Sequence, residues 1–164
     1  MQTTTKIFRW LVLIAPLTLA SCNQLGPVLP PAGVNTLQAS VTEGFFSAAD
    51  ARAKDQGTYY AILGTQSYQS GQRSINIVVP KQTTVPYTIT VNTDAVAVIS
   101  YYVSADNVSS KQYLTQKGQG SGTITITQIT PTVIGSFSGT LSLKPASGTD
   151  TVRTVTGGSF NASF

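Results

Sequence analysis

Between Gly122 and Leu143 the chain reads GTITITQITPTVIGSFSGTLSL, a run without a single charged residue. Ile124 and Ile126 fall on one parity, and Thr123, Thr125 and Thr127 on the other. Further on, Phe137, Leu141 and Leu143 oppose Ser136, Ser138, Thr140 and Ser142. Successive side chains of a strand point to opposite faces, so this alternation predicts two strands with one buried and one wet face. A nucleophile–base pair, a metal cluster and a phosphate loop are all missing from the run, which therefore reads as scaffold.

The same pattern recurs upstream. Leu37, Ala39 and Val41 share a face of TLQASVT, and Tyr60 and Ile62 oppose Tyr59, Ala61 and Leu63 in TYYAILG. Ile75, Ile77 and Val79 line one side of RSINIVVP, which Pro80 ends. PYTITV is a further strand, and AVAVISYYVS (95–104) is apolar on both faces, which predicts a central position. GFFSAADARAK is ambiguous, with alanines for a helical turn but Phe45 and Phe46 favouring a strand. The Gly-rich KGQGSG reads as a hairpin loop, and Phe160, Ala162 and Phe164 are expected to face together in a closing strand. With turn signals every ~8–12 residues, the chain predicts about nine or ten short strands. The expected fold is all-β, an antiparallel β-sandwich or partly closed barrel.

Composition agrees. Hydrophobic residues make up 41%, enough for a packed core, while charged residues are only 10% against ~25% in an ordinary soluble domain. The net charge of +4 includes Lys6 and Arg9, which belong to the N-terminal leader. The remainder is eight basic against six acidic residues, thinly spread, whereas nucleic-acid footprints are clustered. No nucleic-acid partner is expected. The absence of histidine removes the commonest general base and metal ligand.

The single cysteine, Cys22, has no disulfide partner in the chain. It follows a positive segment (Lys6, Arg9) and the eleven apolar-rich residues WLVLIAPLTLA. At ~1.5 Å per residue such a helix is too short for a ~30 Å hydrocarbon core, so it reads as a signal peptide. LASC, Leu19 to Cys22, resembles a bacterial lipobox. That resemblance implies cleavage before Cys22, a diacylglycerol on its thiol and a fatty acid on the new amino terminus. Two or three chains, at ~0.8 kcal/mol per buried CH₂, hold firmly to a bilayer. The expected organisation is a signal peptide over 1–21, lipidated Cys22 with a Pro/Gly tether to 36, and one all-β domain over 37–164. The lipid bilayer is the expected partner, through acylated Cys22. The expected location is the cell envelope, at the outer membrane, facing periplasm or cell surface.

The lipobox, the tether and the strands GTITITQI, SGTLSL and TVTGGSF together resemble a group of small lipoproteins of Bacteroidota, built on a β-rich domain of unknown function. The likeness is clearest over 122–164, where Leu stands at a place in SGTLSL often taken by an aromatic residue. The resemblance carries no catalytic residues with it.

Six carboxylates, Glu43, Asp50, Asp55, Asp94, Asp106 and Asp150, lie in or beside turns, where they cap backbone rather than face one another across a scissile bond. SADN (104–107) offers only two candidate calcium ligands. GQGSG precedes a strand, not the helix a phosphate loop requires. No catalytic, metal or cofactor site is expected. The best binding lead is aromatic. Tyr59–Tyr60 and Tyr101–Tyr102 each put one ring on either face of a strand, and neighbouring strands would form a platform for sugar or an apolar partner. Cross-strand packing that stiffens the sheet is the plainer reading of these rings. The expectation is a non-enzymatic envelope module for binding or structure. The alternatives are a barrel carrying a small apolar ligand beside 95–104, or a sugar-binding tyrosine surface.

Overall fold

The computed structural model describes residues 33–91, 96–105, 109–115, 119–144 and 151–164. The leader, Cys22 and most of the tether lie outside the described residues, as do Asp94, Asp106 and Asp150.

Among the described residues the chain forms eleven strands and no helix. They are β1 (Thr36–Val41), β2 (Gly44–Ala48), β3 (Arg52–Asp55), β4 (Tyr59–Tyr68), β5 (Gly71–Pro80) and β6 (Tyr87–Val91). β7 (Val98–Ala105), β8 (Ser109–Leu114), β9 (Ser121–Gln128), β10 (Thr132–Lys144) and β11 (Val152–Ser163) follow. The ambiguous Phe45–Lys54 stretch is extended, split between β2 and β3.

The strands hydrogen-bond in the order β2-β1-β11-β3-β4-β5-β7-β8-β10-β9-β6, and β11 also pairs with β10, so the network closes into a ring. Two layers result. One is β2-β1-β11-β10-β9-β6 and the other β3-β4-β5-β7-β8. They join at two corners. The end of β10, Ser142–Lys144, pairs with β8, and Ser163 of β11 meets Arg52 of β3 in parallel.

The apolar parity of each strand faces inward as the sequence predicts. Leu37, Ile62, Ile75, Ile77, Val79, Ile99, Ile124, Ile126, Leu141 and Phe160 are all fully buried. The layers touch where glycine allows it. A Cβ on Gly64 of β4 would lie 2.9 Å from Leu37 Cβ across the interior, and one on Gly122 of β9 would lie 2.9 Å from Ile99 Cδ1 of β7. Interiors this closely packed feel even one added methyl group.

Two expectations are corrected. The strands flanking KGQGSG do not form the expected hairpin, because among the described residues β8 and β9 do not pair with each other. Both lie antiparallel to β10, with Thr140 opposite Ser121 and Ser142 opposite Leu114. Of this segment, Lys117 and Gly118 lie outside the described residues. Gly120, with φ of 72°, sits where a Cβ would come within 2.4 Å of Thr140 O. Thr115, just after β8, is buried, its Oγ1 accepting the Ile99 N–H at 3.0 Å. Phe164, of the same parity as Phe160 and Ala162, is 54% exposed beyond the last strand pair and lies against the inward Tyr60, with ring centroids 5.8 Å apart. The second concerns Asn35, in the stretch read as tether, which is built into the domain. Its carbonyl accepts the Ala51 N–H at 2.7 Å and its Oδ1 the Ser163 N–H at 3.2 Å.

Candidate functional site

The four tyrosines are dispersed rather than assembled. Tyr60 and Tyr101 point inward and are buried, while Tyr102 is 39% exposed on the outer face and Tyr59 half-buried. β5 separates their strands. Across it, Tyr102 stands opposite Ser74 and Ser74 opposite Thr65, whereas Tyr59 stands opposite Pro80. Six residues of strand, ~20 Å, therefore part the two outward rings, and no common platform forms.

A different cluster gathers at one end of the layers. Arg73 continues the inward parity of Ile75, Ile77 and Val79 on β5, and Arg153 that of Val155 on β11. The strand periodicity that buries the isoleucines thus aims these cations into the end of the core. Tyr101 stands opposite Tyr113 on β8, their rings 6.3 Å apart and inclined by 33°. The β1–β2 turn brings Glu43 across the opening.

Together Glu43, Val103, Ala105, Lys111, Tyr113 and Arg153 line a recess of about 270 Å³. Arg153 is its centre. Nε donates to Glu43 Oε1, Nη1 donates to Val152 O at 2.9 Å, and the guanidinium lies 4.5 Å from the centroid of the Tyr113 ring. A desolvated guanidinium over a ring is worth ~2 kcal/mol, and the Arg153 side chain is only 11% exposed. Beside it, Arg73 Nη2 donates to Gln66 Oε1 at 2.8 Å and to the Phe45 carbonyl at 3.2 Å. Arg73 also lies over Tyr68, whose hydroxyl donates to Ser104 O at 3.2 Å.

Tyr101 reaches this cluster from within. Burial, and then the Glu43 charge, push its hydroxyl up to about 12, while adjacent Arg73 pulls the other way. The Arg73 guanidinium is near enough to favour the phenolate, yet neither Arg73 Nε nor Tyr101 Oη makes a well-formed hydrogen bond among the described residues.

The described carboxylates do not converge. Glu43 pairs with Arg153 at the recess, whereas Asp50 pairs with Arg52 at 2.8 Å and Asp55 with Lys81 at 2.6 Å. Lys81, assisted by the Gly57 N–H, holds the Asp55 carboxyl below its ordinary range. Among the described residues no three metal-ligating side chains gather, and no helix is long and apolar enough to cross a membrane. β7, beside which the alternative placed a carried ligand, packs Ile99 against Gly122 and Gly139, while Val103 and Ala105 at its other end line the recess. Sequence reading passed over Arg73, Arg153, Lys111 and Tyr113. The available signal was charge in the apolar phase at strand ends, as in Arg73-x-Ile75-x-Ile77 and Arg153-x-Val155.

The fold and the recess define an all-β domain of two corner-joined layers, with an arginine–tyrosine cluster at one end. Residues 34–162 match the family described as Domain of unknown function (DUF6252), and the chain belongs to that family. No curated protein and no solved structure matches it.

Proposed function

We propose that this chain is a lipid-anchored, non-catalytic module of the bacterial cell envelope that presents its end recess to a protein or carbohydrate partner. The observation that carries the reading is LASC behind a basic segment and an eleven-residue apolar-rich run. The fold supports it through direction. β1 begins at Thr36, runs six residues away from the tether, and ends at the turn that holds Glu43. That is ~20 Å of strand, so the recess opens at the end opposite the point where the tether enters. Ten residues, 23–32, lie between Cys22 and the described domain. Fully extended they reach at most ~35 Å, enough to lift the domain clear of lipid headgroups. The non-catalytic reading is supported by the pairing of Glu43, Asp50 and Asp55 with separate cations.

Metabolic labelling with an alkyne fatty acid in a bacterial host tests the anchor. The full chain is expected to take up label and pellet with membranes, and Cys22→Ala to lose both while its domain stays folded. An unlabelled wild-type chain, or an equally labelled Cys22→Ala chain, would overturn the proposal.

A further inference from the structure

The layer β2-β1-β11-β10-β9-β6 has two outer edges, and they are finished differently. At β2, the guanidinium of Arg73 donates to the Phe45 carbonyl at 3.2 Å. At β6, β9 is the only strand partner among the described residues. Natural edges are protected by shortness, proline, charge, a bulge or a covering segment; β6 is five residues long and follows Pro86, but it carries neither charge nor bulge. From Thr83 to Val91 the sequence TTVPYTITV has no charge, and the β6–β9 register runs unbroken from Tyr87↔Ile126 to Val91↔Gly122.

The strand is also matched to itself. In antiparallel pairing about a two-fold axis at Ile89, Thr88 of one copy stands opposite Thr90 of the other, and Tyr87 opposite Val91. Every residue then meets its own kind of surface. The outward row already pairs in this way inside one chain, with Thr88 Oγ1 2.9 Å from Thr125 Oγ1. The inward row has something left to bury. Ile124, opposite Ile89, is fully buried, whereas Ile89 is only half-buried at the open edge. Val85, just before the strand, is 40% exposed.

We infer that the β6 edge is an interface for a second copy of this chain, joining two β6 strands antiparallel about Ile89 into one continuous sheet. The interface is isologous and closes as a dimer, leaving only the β2 edges, each with its Arg73, at the ends. This inference rests on the fold and is independent of the lipid anchor.

Charge placed on the outward threonines tests the edge without touching the core. In Thr88→Lys/Thr90→Lys, each lysine would face a lysine of the other copy. In Thr88→Lys/Thr90→Glu, each lysine would face a glutamate. The full chain in detergent, followed by sedimentation velocity with the detergent contribution subtracted, is expected to be a dimer. The Lys/Lys chain is expected to fall to about half that mass, and the Lys/Glu chain to recover it, because like charges directly opposite repel and unlike charges attract. A monomeric wild-type chain, or a dimer that Lys/Lys leaves intact, overturns the inference. A dimer that Lys/Lys disperses and Lys/Glu fails to restore overturns the pairing about Ile89.

Discussion

Phe137 and Phe160 show how single residues tie the two longest strands together. Phe160 stands opposite Gly135 and Phe137 opposite Gly158, so each ring lies over the bare backbone of the facing strand. A Cβ on Gly135 would come within 2.6 Å of Phe160 Cζ, and one on Gly158 within 2.6 Å of Phe137 Cδ1. Gly157 has a different reason to be glycine, namely φ of 59° at the point where the β10–β11 register shifts. Gly158→Ala is therefore expected to lose about 1–3 kcal/mol by overpacking, and Phe160→Ala about 3–5 kcal/mol, both measured by urea denaturation. Tyr101→Phe should behave in the opposite way. Among the described residues its buried hydroxyl has no well-formed hydrogen bond to lose, so stability should stay within about 1 kcal/mol of wild type or rise. The pH dependence has a definite sign. Burial raises the folded Tyr101 pKa to about 12 from an ordinary value of 10.0. Stability from the neutral hydroxyl is thus full below pH 10 and declines from there to about 12, where the unfolded chain has released a proton that the folded chain retains. Thermal melts between pH 9 and pH 12 are expected to fall more steeply for wild type than for Tyr101→Phe, and parallel slopes would refute that assignment.

Strands were the part most open to reading from sequence, because alternation reports a face directly. Leu37–Val41, Ile75–Val79 and Phe137–Leu143 each carry one apolar parity, and each buries it. Pairing was less legible. Nothing local in KGQGSG tells that its flanking strands share β10 as a neighbour, since that depends on β10 being long enough to serve both. The recess was hidden for a similar reason. Arg73, Tyr113 and Arg153 come from three distant strands, and a lone arginine at a strand end looks like a solvated terminus until a second layer covers it. Tyr101 was visible as a candidate, but its partner ring is Tyr113, not Tyr59 or Tyr60. The role of Arg73 at β2 can be measured. Arg73→Met keeps much of the stem's packing while removing the donors to Gln66 and Phe45. Hydrogen exchange is expected to quicken across β2 and leave the centre of β10 and β11 unchanged, with a loss of about 1–2 kcal/mol overall. Unchanged protection in β2 would mean that Arg73 does not hold the edge.

Two layers could in principle unfold one after the other, and whether they do depends on how the corners are made. Here the strands at the corners are also central strands. β10 pairs with β11 on one side and with β9 and then β8 on the other. β11 pairs with β10 on one side and, on the other, with β1 and finally β3. Ile99 of the smaller layer packs directly against Gly122 and Gly139 of the larger. Opening either layer would strip the apolar face of the other and also break a strand that both use. Each fully buried Ile, Leu or Phe that this exposes costs about 1.5–3 kcal/mol, so a half-opened state is disfavoured by several such terms at once. A single cooperative transition is therefore expected, with calorimetric and van't Hoff enthalpies equal and with tyrosine fluorescence and far-ultraviolet circular dichroism curves superimposed. Leu141→Ala, in the part of β10 leading to the β8 corner, should lower that one transition by about 2–5 kcal/mol without splitting it. Two separated transitions in wild type or in Leu141→Ala would show that the layers are independent units. The corner pairings would then be contacts between them, not the framework that makes them one domain.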